Sequence, residues 1–217
     1  MSDEELKERI AQNIQASEMI DIATGLKTIA VLAPIAENES VEWALIGGLA
    51  MHLYGSLRLT RDVDFIASQT ISLPAERHLS FGGERYSVKV GEKNIAVDWI
   101  VRRDTARKFY QAALADVLTL PGKTKIVTPE WLVILKFIAG RYKDQEDAIF
   151  LLRQKGLVNR QLIRRKVLNV VGEENWVLMS VGLRRWFDLA DNLSAPDGDE
   201  NESYRPLDFS DYPEYNE

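Results

Sequence analysis

Between Leu45 and Phe65 the chain reads L-I-G-G-L-A-M-H-L-Y-G-S-L-R-L-T-R-D-V-D-F, and this stretch constrains the fold more than any other. A glycine pair closes one short apolar run, and a D-x-D pair rides on the next. Residues two apart on a strand face the same way, so Asp62 and Asp64 share a face while Val63 and Phe65 turn into a core. Gly47 and Gly48 let a backbone approach phosphate closely, and amides at a helix N-terminus bind phosphate well. Two neighbouring carboxylates repel, and Mg2+ suits such a pair, binding through one or two carboxylates plus substrate phosphates. Taken singly, the pieces have plainer explanations: a tight turn for the glycines, two solvent-facing acids for D-x-D.

Around this stretch the pattern is mixed α/β. Helical spacing runs from Glu4 to Ile20 through Leu6, Ile10 and Ile14, with Gly25 expected to end or bend it. A second helix is expected over about Lys27–Ala36, which Pro34 can shorten. Strands are expected at Glu42–Ile46 and Val63–Ala67, with a short helix at Leu49–Tyr54 closed by Gly55. Tyr86–Val90 and Ile95–Val101 read as a hairpin about Gly91–Asn94. A helix follows at Thr105–Ala115, then strand character over Val117–Val127, broken at Pro121-Gly122. From Thr128, a candidate N-cap followed by Pro129, helices are expected at about Glu130–Ile138, Lys143–Gln154, Asn159–Val171 and Glu173–Leu189. The fold class is therefore α/β (α+β): a mixed sheet with flanking helices over 1–127, a helical lobe over 128–192, and an acidic, disordered tail over 193–217. That tail holds eight acids against one base, so most of the net charge of −6 lies there and the body is close to neutral.

A third acid stands in the run Asn94-Ile95-Ala96-Val97-Asp98-Trp99-Ile100-Val101. A lone acid in an apolar strand is costly unless paired or bound to a cation. Beside the D-x-D strand, Asp98 would complete a set able to hold two metal ions; equally, it could be paired to Arg102 or Arg103. Arg58 can clamp a phosphate bidentately, and Thr60 can offer its hydroxyl to a phosphate or a metal shell. Arg61 reads as a solvated residue. Lys136 emerges from the apolar run Trp131–Leu135. Gly140 breaks the helix and lets Arg141 and Lys143 swing back, with Asp144 and Asp147 placed to cap the next helix and orient the cations. A polar helix–helix turn with local ion pairs explains the same run.

With no cysteine and two histidines, His52 and His78, thiolate sites are excluded and a His-rich zinc site is disfavoured, so any metal is expected on oxygen. No apolar run is long enough to span a membrane, and the polar, acidic start is unlike a signal peptide; the expected location is the cytoplasm.

Together these residues resemble the DNA polymerase β-like nucleotidyltransferase superfamily, and within it the AbiEii-type branch, which includes toxins of toxin–antitoxin and abortive-infection systems. The resemblance lies in Gly47-Gly48-Leu49-Ala50, Tyr54-Gly55, Arg58-Leu59-Thr60-Arg61-Asp62-Val63-Asp64, Asp98, and the run from Pro129 to Asp147. It implies catalytic, metal-ligating Asp62, Asp64 and Asp98 holding two Mg2+ ions, with Mn2+ able to replace them. It implies a nucleotide site made by Gly47, Gly48, Arg58, Thr60, Lys136, Arg141 and Lys143. The activity it implies is transfer of an NMP group from an NTP such as ATP or GTP to an RNA (tRNA among them) or protein hydroxyl, with a cognate antitoxin as partner. Many superfamily members carry Ser where this chain has Gly48, so backbone amides and basic side chains would do more of the binding. The alternative is a catalytically inactive nucleotide- or partner-binding module on the same fold, which suits the near-neutral body.

Overall fold

The computed structural model describes residues 19–192. Nearly all of the helix expected over Glu4–Ile20, and the acidic segment 193–217, lie outside the described residues.

Helix α1 (Ile22–Asn38) starts at Asp21, whose carboxylate accepts the Thr24 N–H at 2.6 Å. It begins earlier than Lys27 and does not bend at Gly25. There the missing side chain admits Leu49, whose Cδ2 would lie 2.5 Å from an added Cβ. Pro34 sits inside the helix without ending it; the carbonyl it leaves without a donor belongs to Ala30, which is exposed to water.

The next element is β1 (Trp43–Ile46), every residue of it buried. It leads directly into α2 (Gly47–Leu53). Strand β2 (Asp62–Ala67) follows, then β3 (Ala75–His78), β4 (Gly83–Val90) and β5 (Lys93–Ile100). Helix α3 (Arg107–Leu114), β6 (Val117–Thr119), a 3-10 turn at Pro121–Lys123 and β7 (Lys125–Val127) complete the mixed half. The seven strands form one mixed sheet in the order β3-β4-β5-β2-β1-β7-β6. β2 runs antiparallel to β1 and parallel to β5. Its interior is built on Trp43, Phe65 and Trp99, with ring centroids 5.6 and 5.3 Å apart in sequence along the stack. The expected hairpin is present. β3 was not expected, because all four of its residues are exposed and no apolar alternation marks this edge strand.

Thr128 caps α4 (Pro129–Ala139) and Gly140, with φ +66°, ends it in the left-handed conformation. Pro129 to Lys136 are all buried, as suits a helix enclosed on every side. α5 (Tyr142–Arg153) and α6 (Arg160–Asn192) pack on it, and α6 is interrupted at Gly172, where two helices were expected to meet. No helix among the described residues is long and apolar enough to cross a membrane.

Candidate active site

The site forms where β1 ends and β2 begins. Asp64 faces Ile46 on one neighbour and Asp98 on the other, so the parallel pairing of β2 with β5 brings in the third acid from 34 residues downstream. Oxygens of Asp62, Asp64 and Asp98 all lie within 4.8 Å of one another. Val63 and Phe65 are fully buried on the opposite face, as the period-two pattern requires.

Three carboxylates this close are costly to ionise together. Burial pushes the Asp64 carboxyl up to about 7, and the charges of Asp62 and Asp98 add to the rise. Lys136 and the Gly48 N–H, which hydrogen-bonds to Asp64, oppose it. Gly47 has φ +66°, and a Cβ there would overlap Asp64 Oδ2. A Cβ at Gly48 would overlap Thr60 Oγ1 and approach Arg58 Nη2 to 3.5 Å. The glycine pair therefore lets the α2 N-terminus close directly onto the acids. The donor set is carboxylate oxygen alone, with its mutual repulsion still evident at Asp64, and this fits a hard divalent cation such as Mg2+ or Mn2+.

One residue of the site escaped the sequence reading. Arg85, on β4 opposite Asp98, donates from Nε to Asp98 Oδ1 at 2.5 Å and from Nη2 to Asp98 Oδ2 at 2.8 Å. Nη2 also reaches Asp62 Oδ2 at 3.1 Å. Asp98 is thus paired by Arg85, not by Arg102 or Arg103; Arg102 is bonded to Asp104 instead. The available signal was register: in a hairpin turning at Gly91–Glu92, the position across from Asp98 is Arg85.

A second cluster adjoins the acids. Lys136 is almost wholly buried, its Nζ 2.5 Å from Asp147 Oδ2 and 3.4 Å from Asp144 Oδ1. Arg141 donates from Nε to Asp144 Oδ2 at 2.6 Å. Arg58 Nε lies 2.8 Å from Asp147 Oδ1, an ion pair without the alignment of a hydrogen bond. Burial opposes ionisation of Asp144, but the hydrogen bond from Arg141 and the nearby Lys136 charge hold its carboxyl below the usual range. The two acids orient Lys136 and Arg141 as expected; in place of Lys143, the third cation they hold is Arg58. They do not cap α5, whose N-cap is Arg141 with no side-chain cap bond. Lys136 does not project freely either; its charge acts on Asp64 from within the protein. Thr60 is buried, its hydroxyl donating to the Asp62 carbonyl at 3.1 Å, so it holds the start of β2. Lys143 is exposed, as is Arg61.

Gly47, Gly48, Arg58, Thr60, Asp62, Asp64, Asp98, Lys136, Arg141 and Lys143 all line one cavity of about 350 Å³. The structure brings the whole expected set together, from five separate stretches of chain.

No family model matches the chain, and no curated protein matches it. Among solved structures it is similar to an antigenic nucleotidyltransferase-like protein from Paracoccidioides brasiliensis, at 19% identity and a TM-score of 0.43, over 68% of this chain and 87% of that one. It is also similar to the antibiotic-resistance factor ANT(2'')-Ia, at 12% identity and a TM-score of 0.36, over 81% of this chain and 98% of that one. At scores this low the likeness adds nothing to what the site itself presents.

Proposed function

We propose that the chain is a Mg2+-dependent nucleotidyltransferase. The observation that carries this reading is the convergence of Asp62, Asp64 and Asp98 within 4.8 Å, beneath a glycine-opened helix N-terminus and inside a cavity rimmed by Arg58, Arg141 and Lys143. The three acids would hold the divalent ions, which when bound supply charge neutralisation at the transferring phosphate and lower the acidity barrier of the attacking hydroxyl.

The chain's own residues account for the rest. The guanidinium groups of Arg58 and Arg141, with the helix N-terminus of α2 beside them, receive phosphate oxygens of the NTP. Lys136, anchored by Asp144 and Asp147, favours ionised Asp64 without occupying the cavity. In the transfer an acceptor hydroxyl oxygen bonds to the α-phosphorus, and the bridging bond to the β-phosphate breaks. Pyrophosphate leaves with that electron pair, and the hydroxyl proton passes to a carboxylate oxygen of Asp98. The AbiEii-type resemblance extends the proposal to an RNA acceptor such as tRNA, or a protein, and to a toxin restrained by a cognate antitoxin.

The test is incubation of the purified protein with α-labelled NTPs, Mg2+ and total cellular RNA. Label should move to a macromolecule with wild type and not with Asp64→Ala; full transfer by Asp64→Ala would overturn the mechanism. A second reading, a nucleotide-binding module without catalysis, is favoured by one observation: Arg85 already neutralises Asp98 and Asp62. Binding of NTP by calorimetry with no transfer to any acceptor would select it.

A further inference from the structure

Beyond Gly172, the last stretch of α6 is apolar on two opposite sides. One side packs on the body of the protein. Trp176, Leu183, Trp186, Phe187 and Ala190 are buried. The Trp186 ring meets Phe137 of α4 edge-on at 5.1 Å, and Gly182 leaves room for that same Phe137 ring. The other side has no cover among the described residues. Val177, Leu178 and Val181 are 62%, 77% and 72% exposed. Apolar residues exposed singly need no explanation; three together, framed by charge, have the make-up of a contact surface.

At 3.6 residues per turn, Glu174, Leu178, Val181 and Arg185 fall on one stripe, on the far side of the helix from Leu183, with Val177 along its edge. Their steps of four, three and four residues are those of a seam between paired helices. Glu174 and Arg185 are exposed and have no ion-pair partner among the described residues. Two copies of this stripe match in one direction only. With the helices parallel, Glu174 meets Glu174 and Arg185 meets Arg185. With them antiparallel, a two-fold axis midway between Leu178 and Val181 sets Leu178 of one copy against Val181 of the other. The same axis sets Glu174 of each copy against Arg185 of the other, one such pair at either end. An isologous contact requires a self-complementary patch of this kind, and charges flanking an apolar seam fix its orientation.

We propose that this face of α6 docks a second copy of the chain, antiparallel, to form a two-fold homodimer held by Leu178, Val181 and Val177 and oriented by Glu174 and Arg185. The active-site cavity takes no residue from α6, so the pairing stands apart from the nucleotidyltransferase reading and holds or fails without it.

The test is sedimentation velocity on the full chain across a micromolar concentration series, where wild type should pass from the mass of one chain to that of two. Leu178→Gln should hold it at one. The single reversals Glu174→Arg and Arg185→Glu each set like charges against each other at both ends and should weaken pairing about tenfold, roughly 1.4 kcal/mol. An equal mixture of those two variants should pair again, because each then meets its opposite charge, and the double variant Glu174→Arg/Arg185→Glu should pair as wild type does. All these positions are exposed, and circular dichroism checks that each variant keeps its helices. Wild type of one mass throughout overturns the proposal. If hydrogen exchange over residues 177–181 is then slow and quickens when residues 193–217 are removed, that acidic segment is the occupant instead. A dimer indifferent to Leu178→Gln, or single reversals that the mixture fails to rescue, places the contact elsewhere or in another orientation and also overturns it.

Discussion

Arg85→Met is the most revealing single change. Arg85 makes three charged contacts to Asp98 and Asp62, at 2.5, 2.8 and 3.1 Å. The side chains are shielded but not sealed, Arg85 being 22% and Asp98 14% exposed. Hydrogen bonds to charged groups contribute about 1.5–3 kcal/mol, and partial solvent access keeps the net value of the whole clamp in that range rather than a multiple of it. Met preserves bulk and removes the charge, so the ion-free protein should lose about 1.5–3 kcal/mol and melt several degrees lower. A divalent ion on the same oxygens displaces Arg85, so whatever the clamp contributes to the ion-free state is subtracted from ion affinity. Each 1.4 kcal/mol is tenfold; removing the clamp should tighten Mg2+ or Mn2+ binding by about 10- to 100-fold. Calorimetry with Mn2+, and thermal melts at rising Mg2+, measure both effects, with added ion restoring most of the lost stability. An unchanged dissociation constant would show that Arg85 and the ion do not compete for these oxygens.

Asp64→Asn removes a carboxyl held up to about 7 by burial and by its two acidic neighbours. A group whose folded pKa is raised costs stability progressively as pH climbs from its unfolded value of about 4 to its folded one. The variant should therefore gain stability over wild type through that window, level off above it, and lose divalent-ion binding. Gly47→Ala places a side chain at φ +66° and against Asp64 Oδ2; about 1–2 kcal/mol of backbone strain plus a displaced acid should abolish ion-induced stabilisation in a melt. Asp144→Asn should destabilise at neutral pH, and the gap from wild type should close as pH falls through the depressed folded pKa of Asp144, read from acid unfolding. Thr128→Ala removes the α4 cap and should cost about 1 kcal/mol in denaturant unfolding.

Much of the site was legible because its residues sit where local patterns are strongest. Asp62 and Asp64 fall on a period-two strand, Asp98 stands out among apolar neighbours, and Thr128-Pro129 and Gly140 mark both ends of α4. Arg85 was not legible, because a basic residue on a half-exposed strand is ordinary until the hairpin register sets it across from Asp98. Lys136 was placed in the right cavity with Asp144 and Asp147 to orient it, and its ammonium is taken by both acids; its near-complete burial was not legible, because nothing local says how far the helix around it is enclosed. β3 escaped for the opposite reason, since an edge strand with no buried face carries no hydrophobic signature. Gly25 was misjudged because close helix approach and helix termination use the same residue.

Arg85, Asp98, Asp64 and Ile46 form a single line across four adjacent strands, each the cross-strand neighbour of the next. None of these contacts is available to a short fragment, and sliding any one strand by a single position would turn its member of the line to the reverse side. Ion capture therefore doubles as a gauge of assembly: a bound cation reports that four distant pieces of chain have found their mutual alignment, and a folding experiment followed by metal uptake would time that event rather than the earlier growth of the helices.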